Sequence, residues 1–220
     1  KTLQRYQRIV YQRNQLLKTV KDGRSKINEL DFWDEKLIAE GKYILKQRLS
    51  TVRTLSELVG PIHRELTSQR ENLMLTYMPS FAIGDKSSQE DLSQGFRKAL
   101  TTYQKREIAQ GATISGPHRD DLKLLINNME AGTYASRGQS RTAVLSMKLA
   151  EARHLKDQQQ QEPILLLDDV LSELDTERRD RVLEKTGQYQ QCFITTTEVG
   201  SIRRNFLSQM SRFIVKNGEV

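Results

Sequence analysis

The sequence predicts an α/β protein in two parts, a helical arm over residues 1–105 and a lobe of alternating strands and helices over residues 106–220. Apolar side chains recur at steps of three and four in the first part, which is typical of amphipathic helices. In the second part, short apolar runs alternate with helical patterns. One such run, Ile164–Leu167, leads straight into Asp168 and Asp169. This acidic pair marks a candidate site at the end of a strand.

Two long helices joined by a short turn make the predicted arm. The first covers the opening 20 residues and ends near Asp22 and Gly23. The second begins around Glu29 and continues past Gly60 and Pro61. Because proline lacks a backbone N–H and clashes with the preceding turn, it must break or kink this helix.

The remaining elements follow from apolar pattern and turn residues. In chain order we predict a strand at 73–81, a loop at 84–91, a helix at 91–111, two strands in 121–135 around a turn at Asn127–Glu130, a helix at 139–161, a fully buried strand at 164–168, a helix at 175–186, a strand at 191–196, a short helix at 201–207 and a closing hairpin at 212–220 with an Asn-Gly turn.

Composition excludes several classes of protein. A single cysteine, Cys192, forbids an intrachain disulfide and favours a reducing compartment. His63, His118 and His154 lack the spacing of zinc ligands. No apolar run approaches the roughly 18 residues that a membrane helix needs. We therefore expect a cytoplasmic protein with no membrane partner, and the start at Lys1 without Met suggests a piece of a longer chain.

The acidic pair has two interpretations when it is taken alone. Asp168 at the end of a strand could hold Mg²⁺ through its water shell, and Asp169 could polarise a water that attacks a γ-phosphate. A structural turn or a helix cap is an equal alternative. The spacing to a second motif favours the nucleotide interpretation.

That second motif is YASRGQSRT, Tyr134–Thr142. In this pattern a serine, a variable residue and Gly-Gln precede a long helix. The serine hydroxyl and the backbone amides at the helix start would then point at an anion. A glycine-containing loop with an N-cap serine would look the same in isolation. One helix and one strand separate Ser136 from Asp168, and the acidic pair is followed by Ser172–Asp175. This order favours a nucleotide site.

Five collinear blocks together resemble the RecF family of bacterial ABC-type ATPases. They are QRNQLLK, LDFWDEKLIAEG, ISGPHRDDL, YASRGQSRTAVLSMKLAE and PILLLDDVLSELD, and they extend over essentially the whole chain. The resemblance implies the second lobe of an ABC-type P-loop ATPase head, preceded by a short helical, coiled-coil-like arm. The block at Gly116–Asp121 recurs in the resemblance without a role that its residues indicate.

The resemblance also implies functional positions. Asp168 would be the Mg²⁺ ligand of a Walker B strand and Asp169 the catalytic residue. Ser136, Arg137, Gly138 and Gln139 would form a signature motif that engages ATP held by the other subunit of a homodimer, and Ser172 and Asp175 would belong to the D-loop.

The sequence departs from the ABC pattern at two positions. The residue after the magnesium aspartate is usually glutamate, and the shorter Asp169 implies slow hydrolysis that suits a switch. Where many ABC ATPases have a switch histidine, Thr196 or Thr197 stands here. A hydroxyl can donate to a γ-phosphate but carries no charge, and a threonine-rich strand end is the plain alternative.

The sequence contains no Gly-x-x-x-x-Gly-Lys-Ser/Thr P-loop. The resemblance implies that this loop lies upstream of Lys1. We therefore expect the complete protein to be a slow ATPase that uses ATP and Mg²⁺, and residues 1–220 alone to be inactive without tight ATP binding.

Basic residues are concentrated near the start of the chain. Residues 1–26 carry eight basic side chains and one acidic one, and Lys1, Arg5 and Arg8 share a helix face. Such a run is ordinarily a solvated face. For a RecF-like ATPase we select Lys1, Arg5, Arg8 and Arg13 as candidates for sequence-independent contact with DNA phosphates.

The function implied by the resemblance is that of an ATP-dependent recombination mediator in DNA repair and replication. Such a protein would bind duplex DNA at single-strand gaps or stalled forks, dimerise on ATP and work with RecO and RecR to load recombinase. The alternative is an SMC-like structural subunit that bridges DNA, which the short arm disfavours because no heptads continue over hundreds of residues.

Overall fold

The computed structural model describes residues 1–83, 88–172, 174–217 and 219. The helices are α1 (Thr2–Lys21), α2 (Leu30–Leu66), α3 (Gln89–Gln110), α4 (Ala131–Tyr134), α5 (Arg137–Gln159), α6 (Thr176–Thr186) and α7 (Arg204–Leu207). The strands are β1 (Leu73–Met78), β2 (Asp121–Ile126), β3 (Met129–Glu130), β4 (Leu165–Leu167) and β5 (Cys192–Ile194), and short 3-10 turns cover Ile27–Glu29, Pro117–Arg119 and Val199–Ser201. The α/β prediction is confirmed.

The chain forms two compact units with interleaved sequence. The first comprises Lys1–Arg53 and Thr76–Lys123, and the second comprises Thr54–Leu75 and Leu124–Val220. These bounds differ from the predicted division into an arm that ends at residue 105 and a lobe that begins at residue 106. The assignment of residues 106–220 as an ATPase lobe stays a prediction.

Three aromatic residues lie in the otherwise aliphatic core of the first unit. Phe81 and Phe96 stack with ring centroids 5.0 Å apart, and Tyr6 is buried beside them. Helix α2 contributes Gly41 at this point, where a Cβ atom would lie 2.6 Å from the Phe96 ring. Glycine therefore lets the ring of Phe96 approach the backbone of α2.

The block at Gly116–Asp121 contributes to the structure of the same unit. His118 accepts a hydrogen bond from the Tyr6 hydroxyl at Nδ1 (2.9 Å) and donates from Nε2 to the Thr113 carbonyl (3.1 Å). Asp120 accepts the backbone N–H of Ser80 at 2.7 Å and the hydroxyl of Tyr77. The block thus ties α1 to the chain after β1.

Helix α2 extends past Gly60 and Pro61, as predicted. It continues through Pro61 to Leu66, so of the two outcomes expected at the proline, a break does not occur. Burial explains part of this, because Val59, Ile62 and Leu66 of that last stretch are almost inaccessible to solvent. Tertiary packing of an apolar face outweighs the local cost of one missing hydrogen bond.

A three-stranded sheet has the order β1-β2-β3. Strands β2 and β3 pair antiparallel, with Leu125 opposite Glu130, around a turn at Asn127 and Asn128. Both asparagines have positive φ, 50° and 68°, as a tight hairpin turn with a type I′ backbone requires. Strand β3 is only two residues long, and residues 131–134, predicted as strand, form α4 instead.

A two-stranded parallel sheet pairs β4 with β5, and Leu167 stands opposite Ile194. Leu165 and Leu167 are buried, whereas Leu166 is 72% exposed. The prediction of a fully buried strand was therefore wrong in this chain, since one face of the strand is open. An uninterrupted apolar run does not reveal which face has a covering element.

Two further predictions concern less regular segments. Residues 84–87 of the predicted loop lie outside the described residues, and α3 begins at Gln89, earlier than expected. Among the described residues of the predicted closing hairpin, Lys216 and Glu219 form an antiparallel bridge. Within the described ranges, no helix is both long enough and apolar enough to span a bilayer.

Candidate functional site

The acidic pair lies at the carboxyl edge of the β4–β5 sheet. The parallel register that places Leu167 opposite Ile194 brings the next residues, Asp168 and Thr195, together. The Thr195 hydroxyl donates to Asp168 Oδ1 at 2.5 Å and accepts the backbone N–H of Asp169 at 3.0 Å. One threonine therefore positions both aspartates.

Asp169 has a left-handed backbone, with φ of 48°. Aspartate tolerates this conformation better than most residues, and such strain is common at functional sites. The Asp169 carbonyl accepts a hydrogen bond from Arg141 Nη1 at 2.9 Å, and the same nitrogen donates to Ser172 Oγ at 3.1 Å. Ser172 Oγ lies 3.2 Å from the Asp169 carboxylate. Arg141 thus connects helix α5 to the turn that carries Asp169.

Ser136 is the N-cap of α5. Its Oγ accepts the backbone N–H of Gln139 at 3.2 Å, while Gln139 Oε1 accepts the backbone N–H of Ser136 at 3.0 Å. This is a reciprocal capping box. The amides of Arg137 and Gly138, in the first turn, have no intrahelical acceptor because the helix begins there. Ser136 and Arg137 are exposed, so an anion could reach this end of the helix.

Gln139 also reaches a buried carboxylate. Its Nε2 donates to Glu71 Oε1 at 3.1 Å, and Arg178 Nη2 donates to the same oxygen at 2.7 Å. His63 Nε2 lies 3.2 Å from Glu71 Oε2. Asp175, the predicted D-loop residue, caps α6 by accepting the Arg178 backbone N–H at 2.9 Å.

The electrostatics of this cluster favour a charged glutamate and a neutral histidine. Burial alone would raise the pKa of Glu71, but the hydrogen bonds from Gln139 and Arg178 outweigh burial and hold that pKa below its usual value. Burial lowers the pKa of His63, and the attraction of Glu71 opposes this only in part. A neutral His63 therefore donates from Nε2 to Glu71.

The oxygen ligands at the sheet edge suit Mg²⁺, which keeps several waters and needs only one or two carboxylates. Asp168 and Asp169 are both exposed there. In the described part of the chain, no three His, Cys, Asp or Glu side chains converge into a complete metal cage. Asp168 would accordingly bind the ion as a single carboxylate, with phosphate and water supplying the other ligands.

Three residues in these contacts were missed at the level of sequence. Thr195 contacts Asp168, whereas the predicted switch residue Thr196 accepts the Glu198 backbone N–H at 3.1 Å. A phosphate-sensing role for Thr196 or Thr197 stays a prediction. Strand alignment could have indicated Thr195, but no local pattern marks Arg141 or Glu71.

One DNA candidate is wrong. Arg13 is completely buried, and its guanidinium pairs with Asp34 Oδ1 at 2.5 Å and with the buried Glu107 Oε2 at 2.7 Å. The sequence pattern of α1 did not reveal these buried partners. Arg13 stabilises the packing of α1 and has no surface for a phosphate.

The other three DNA candidates, Lys1, Arg5 and Arg8, are exposed on α1. Arg5 makes a two-point contact with Glu40, at 2.9 and 3.1 Å, so part of its charge is already compensated. Lys1 and Arg8 are the stronger remaining candidates for phosphate contact.

Comparison with known proteins gives consistent relatives, although no family model matches the sequence. The chain is 39% identical over 228 residues to the DNA replication and repair protein RecF of Roseiflexus castenholzii, and 35% identical over 225 residues to that of Chloroflexus aurantiacus. In both cases all of this chain matches 57% of the relative's length. The chain thus spans a little more than half the length of these curated relatives.

Two solved structures resemble the chain. One is described as the recombination mediator protein RecF-ATP in the RecFOR pathway, with 32% identity and a TM-score of 0.78 over 90% of this chain and 52% of that one. The other, described as RecF-ATPrS in the same pathway, has 31% identity and a TM-score of 0.79 over 92% of this chain and 54% of that one.

Proposed function

Because this chain belongs to the RecF family, we propose that it forms the second part of an ATP-binding head in a protein that acts on DNA during replication and repair. The observation that carries the proposal is the connected edge formed by Asp168, Thr195 and Asp169, which Arg141 joins to the helix that begins beside Ser136. The acidic groups at the sheet edge suit the metal ion of one nucleotide, and the exposed helix N-terminus suits the phosphate of a nucleotide held by another subunit.

Asp168 and Asp169 have different roles in this proposal. Asp168 binds Mg²⁺, directly or through its water shell, and Thr195 orients the carboxylate. Asp169 accepts a proton from the water that attacks the γ-phosphate, while Ser172 and Arg141 orient its turn. Bound ATP and Mg²⁺ would supply the electrophilic phosphorus and the compensating positive charge.

The signature residues act across a homodimer. Ser136, Arg137 and Gly138 present a hydroxyl and backbone amides to a nucleotide held by the other subunit, and the capping box keeps Gln139 in place. The exposure of Ser136 and Arg137 in this single chain supports an approach from outside. ATP therefore holds two heads together, and hydrolysis releases them.

DNA is the proposed partner of the complete protein, at duplex next to single-strand gaps. The exposed Lys1 and Arg8 contribute sequence-independent attraction, and Arg5 contributes less because it is paired with Glu40. RecO and RecR are the proposed protein partners, which the pathway named for the two similar structures supports.

The test uses the complete gene product that contains these residues. ATP hydrolysis and the dissociation of a fluorescent gapped duplex are measured for wild type, Asp169→Asn and the control Asp157→Asn, an exposed carboxylate far along α5. Asp169→Asn should bind ATP normally, hydrolyse it at least about 100-fold more slowly and hold DNA longer, since general-base contributions are typically of that size. Asp157→Asn should match wild type. DNA lifetimes that do not respond to ATP in any of the proteins would refute the proposal.

A further inference from the structure

A single buried carboxylate, Glu71, joins three separate helices of the second unit. It lies in the loop between α2 and β1 and is 7% exposed. Its Oε1 accepts hydrogen bonds from Gln139 Nε2 in the first turn of α5 at 3.1 Å and from Arg178 Nη2 in the first turn of α6 at 2.7 Å. Its Oε2 contacts His63 of α2.

One donor on Oε1 belongs to the signature motif, and the other belongs to the helix that follows the D-loop. Gln139 is the third residue of the signature helix and closes its capping box with Ser136. Arg178 is the third residue of α6, and Asp175 of the D-loop caps that helix through the Arg178 backbone N–H. One oxygen atom therefore contacts both helix starts.

Alternative partners do not replace Glu71 in this role. The Arg178 guanidinium approaches Asp175 only at 3.3 Å, and that carboxylate is 63% exposed, so water competes with the contact. Arg178 also donates to Thr142 Oγ1 at 3.1 Å, a neutral acceptor. Hydrogen bonds to a buried charged acceptor are stronger than either.

Burial of a charged carboxylate is costly unless the carboxylate is paired and hydrogen-bonded. Glu71 has donors from α2, α5 and α6, so the loss of one donor leaves the buried charge less compensated and affects the other two contacts. The three contacts consequently behave as a unit.

We propose that Glu71 is a positioning residue that fixes the start of the signature helix, through Gln139, and the helix after the D-loop, through Arg178, to one carboxylate so that both keep a single relative geometry. The structural part of this proposal stands on the contacts alone, and its effect on ATP turnover rests on the proposed function.

The first test needs no nucleotide. Hydrogen exchange followed by mass spectrometry compares wild type, Glu71→Gln and Gln139→Ala in residues 1–220 and in the complete gene product. Glu71→Gln keeps the shape but loses the charge, so we expect peptides over 136–140 and over 175–179 both to exchange about ten-fold faster, which is the size of one charged hydrogen bond. Gln139→Ala should speed exchange over 175–179 as well, although the hydrogen bonds given for the Gln139 side chain go to Ser136 and Glu71 rather than to α6.

A matched control is available on the same helices. Glu65 Oε2 pairs with Lys185 Nζ at 2.5 Å and so links α2 to α6 without touching α5. Glu65→Gln should leave exchange over 136–140 unchanged. The proposal is overturned if Glu71→Gln affects only one of the two segments, if neither segment responds, or if Gln139→Ala changes the first segment alone.

The second test measures turnover in the complete gene product. Glu71→Gln should lower kcat for ATP about ten-fold while KM stays within about two-fold, because misplaced signature residues act in trans on the closed dimer. Glu65→Gln should leave both constants unchanged. Equal change in Glu65→Gln and Glu71→Gln would contradict the proposal. Both segments could exchange as expected while the complete gene product forms no ATP-dependent dimer. That result would support the positioning role of Glu71 and refute the proposed function.

Discussion

The Thr195 hydroxyl donates to Asp168 Oδ1 over 2.5 Å and accepts the Asp169 backbone N–H over 3.0 Å. Through these two hydrogen bonds, the Thr195 side chain at the end of β5 connects the candidate metal ligand Asp168 to the candidate base Asp169. A valine would keep the shape of the side chain and remove both hydrogen bonds.

Thr195→Val is therefore expected to reduce ATP hydrolysis by the complete gene product about ten-fold, since a hydrogen bond to a charged group contributes about 1.5–3 kcal/mol. The matched control is Thr102→Val, an exposed threonine on α3. Hydrolysis and Mg²⁺ dependence are measured for both variants. Equal rates for Thr195→Val and wild type would show that the two aspartates do not depend on this threonine.

The buried position of Arg13 predicts an effect on stability rather than on DNA. Arg13→Ala should lower the free energy of unfolding by about 3–5 kcal/mol, because it leaves Glu107 and Asp34 without their cation. Arg8→Ala, an exposed site on the same helix, should change it by less than about 0.5 kcal/mol. Urea denaturation of residues 1–220 measures both. A stable Arg13→Ala protein with selectively weakened DNA binding would contradict the buried assignment.

The lowered pKa of His63 predicts a pH dependence of stability. The unfolded state binds a proton as pH falls below about 6.5, while the folded state resists protonation because His63 is buried and also near Arg178. Stability should therefore fall as pH drops from about 6.5 through the lower folded pKa, by up to about 1.4 kcal/mol per pH unit. Glu71 opposes this effect, and its own lowered pKa matters only in a more acidic range.

His63→Gln should show a shallower loss of stability over that range than wild type, measured by chemical denaturation at pH 7.5, 6.5 and 5.5. His118, whose pKa burial also lowers, is present in both proteins, so the difference between the two slopes is the relevant quantity. Parallel slopes would mean that His63 has the same proton affinity in the folded and unfolded states.

DNA binding by the α1 face predicts a change in salt dependence. The double variant Lys1→Ala and Arg8→Ala should weaken ATP-independent binding to duplex DNA and reduce the slope of log K against log salt by about 0.9 for each phosphate that is no longer neutralised. Arg5→Ala should have a smaller effect because Glu40 already pairs with Arg5. Fluorescence anisotropy over a salt series gives the slopes. An unchanged slope in the double variant would place the DNA surface elsewhere.

The sequence predicted most elements because their patterns are local. The ends of α1 and the N-cap serine of α5 depend on neighbouring residues, and they agree with the structure. The continuity of α2 at Pro61 depends instead on tertiary burial of that stretch. Similarly, the open side of Leu166 depends on what packs against the sheet, which the strand's own residues do not encode.

The candidate site shows the same division between local and long-range information. Asp168, Asp169 and Ser136 stand in recognisable motifs, so their places at a strand end and a helix start were predictable. Glu71 contacts a residue 107 positions away, and Arg13 contacts one 100 positions away. Only the folded chain brings such pairs together, and no spacing rule indicates them.

In the proposed function, Ser136 acts on nucleotide bound by another subunit. The most direct measurement is ATP-dependent dimerisation of the complete gene product, by light scattering, for Ser136→Asp beside Ser136→Asn. Both replacements cap a helix as well as serine does, so α5 stays intact, but only aspartate repels a phosphate. We predict that Ser136→Asp binds ATP as a monomer and fails to dimerise, while Ser136→Asn still dimerises. A Ser136→Asp protein that dimerises with ATP like wild type, or one that loses ATP binding as a monomer, would contradict the account.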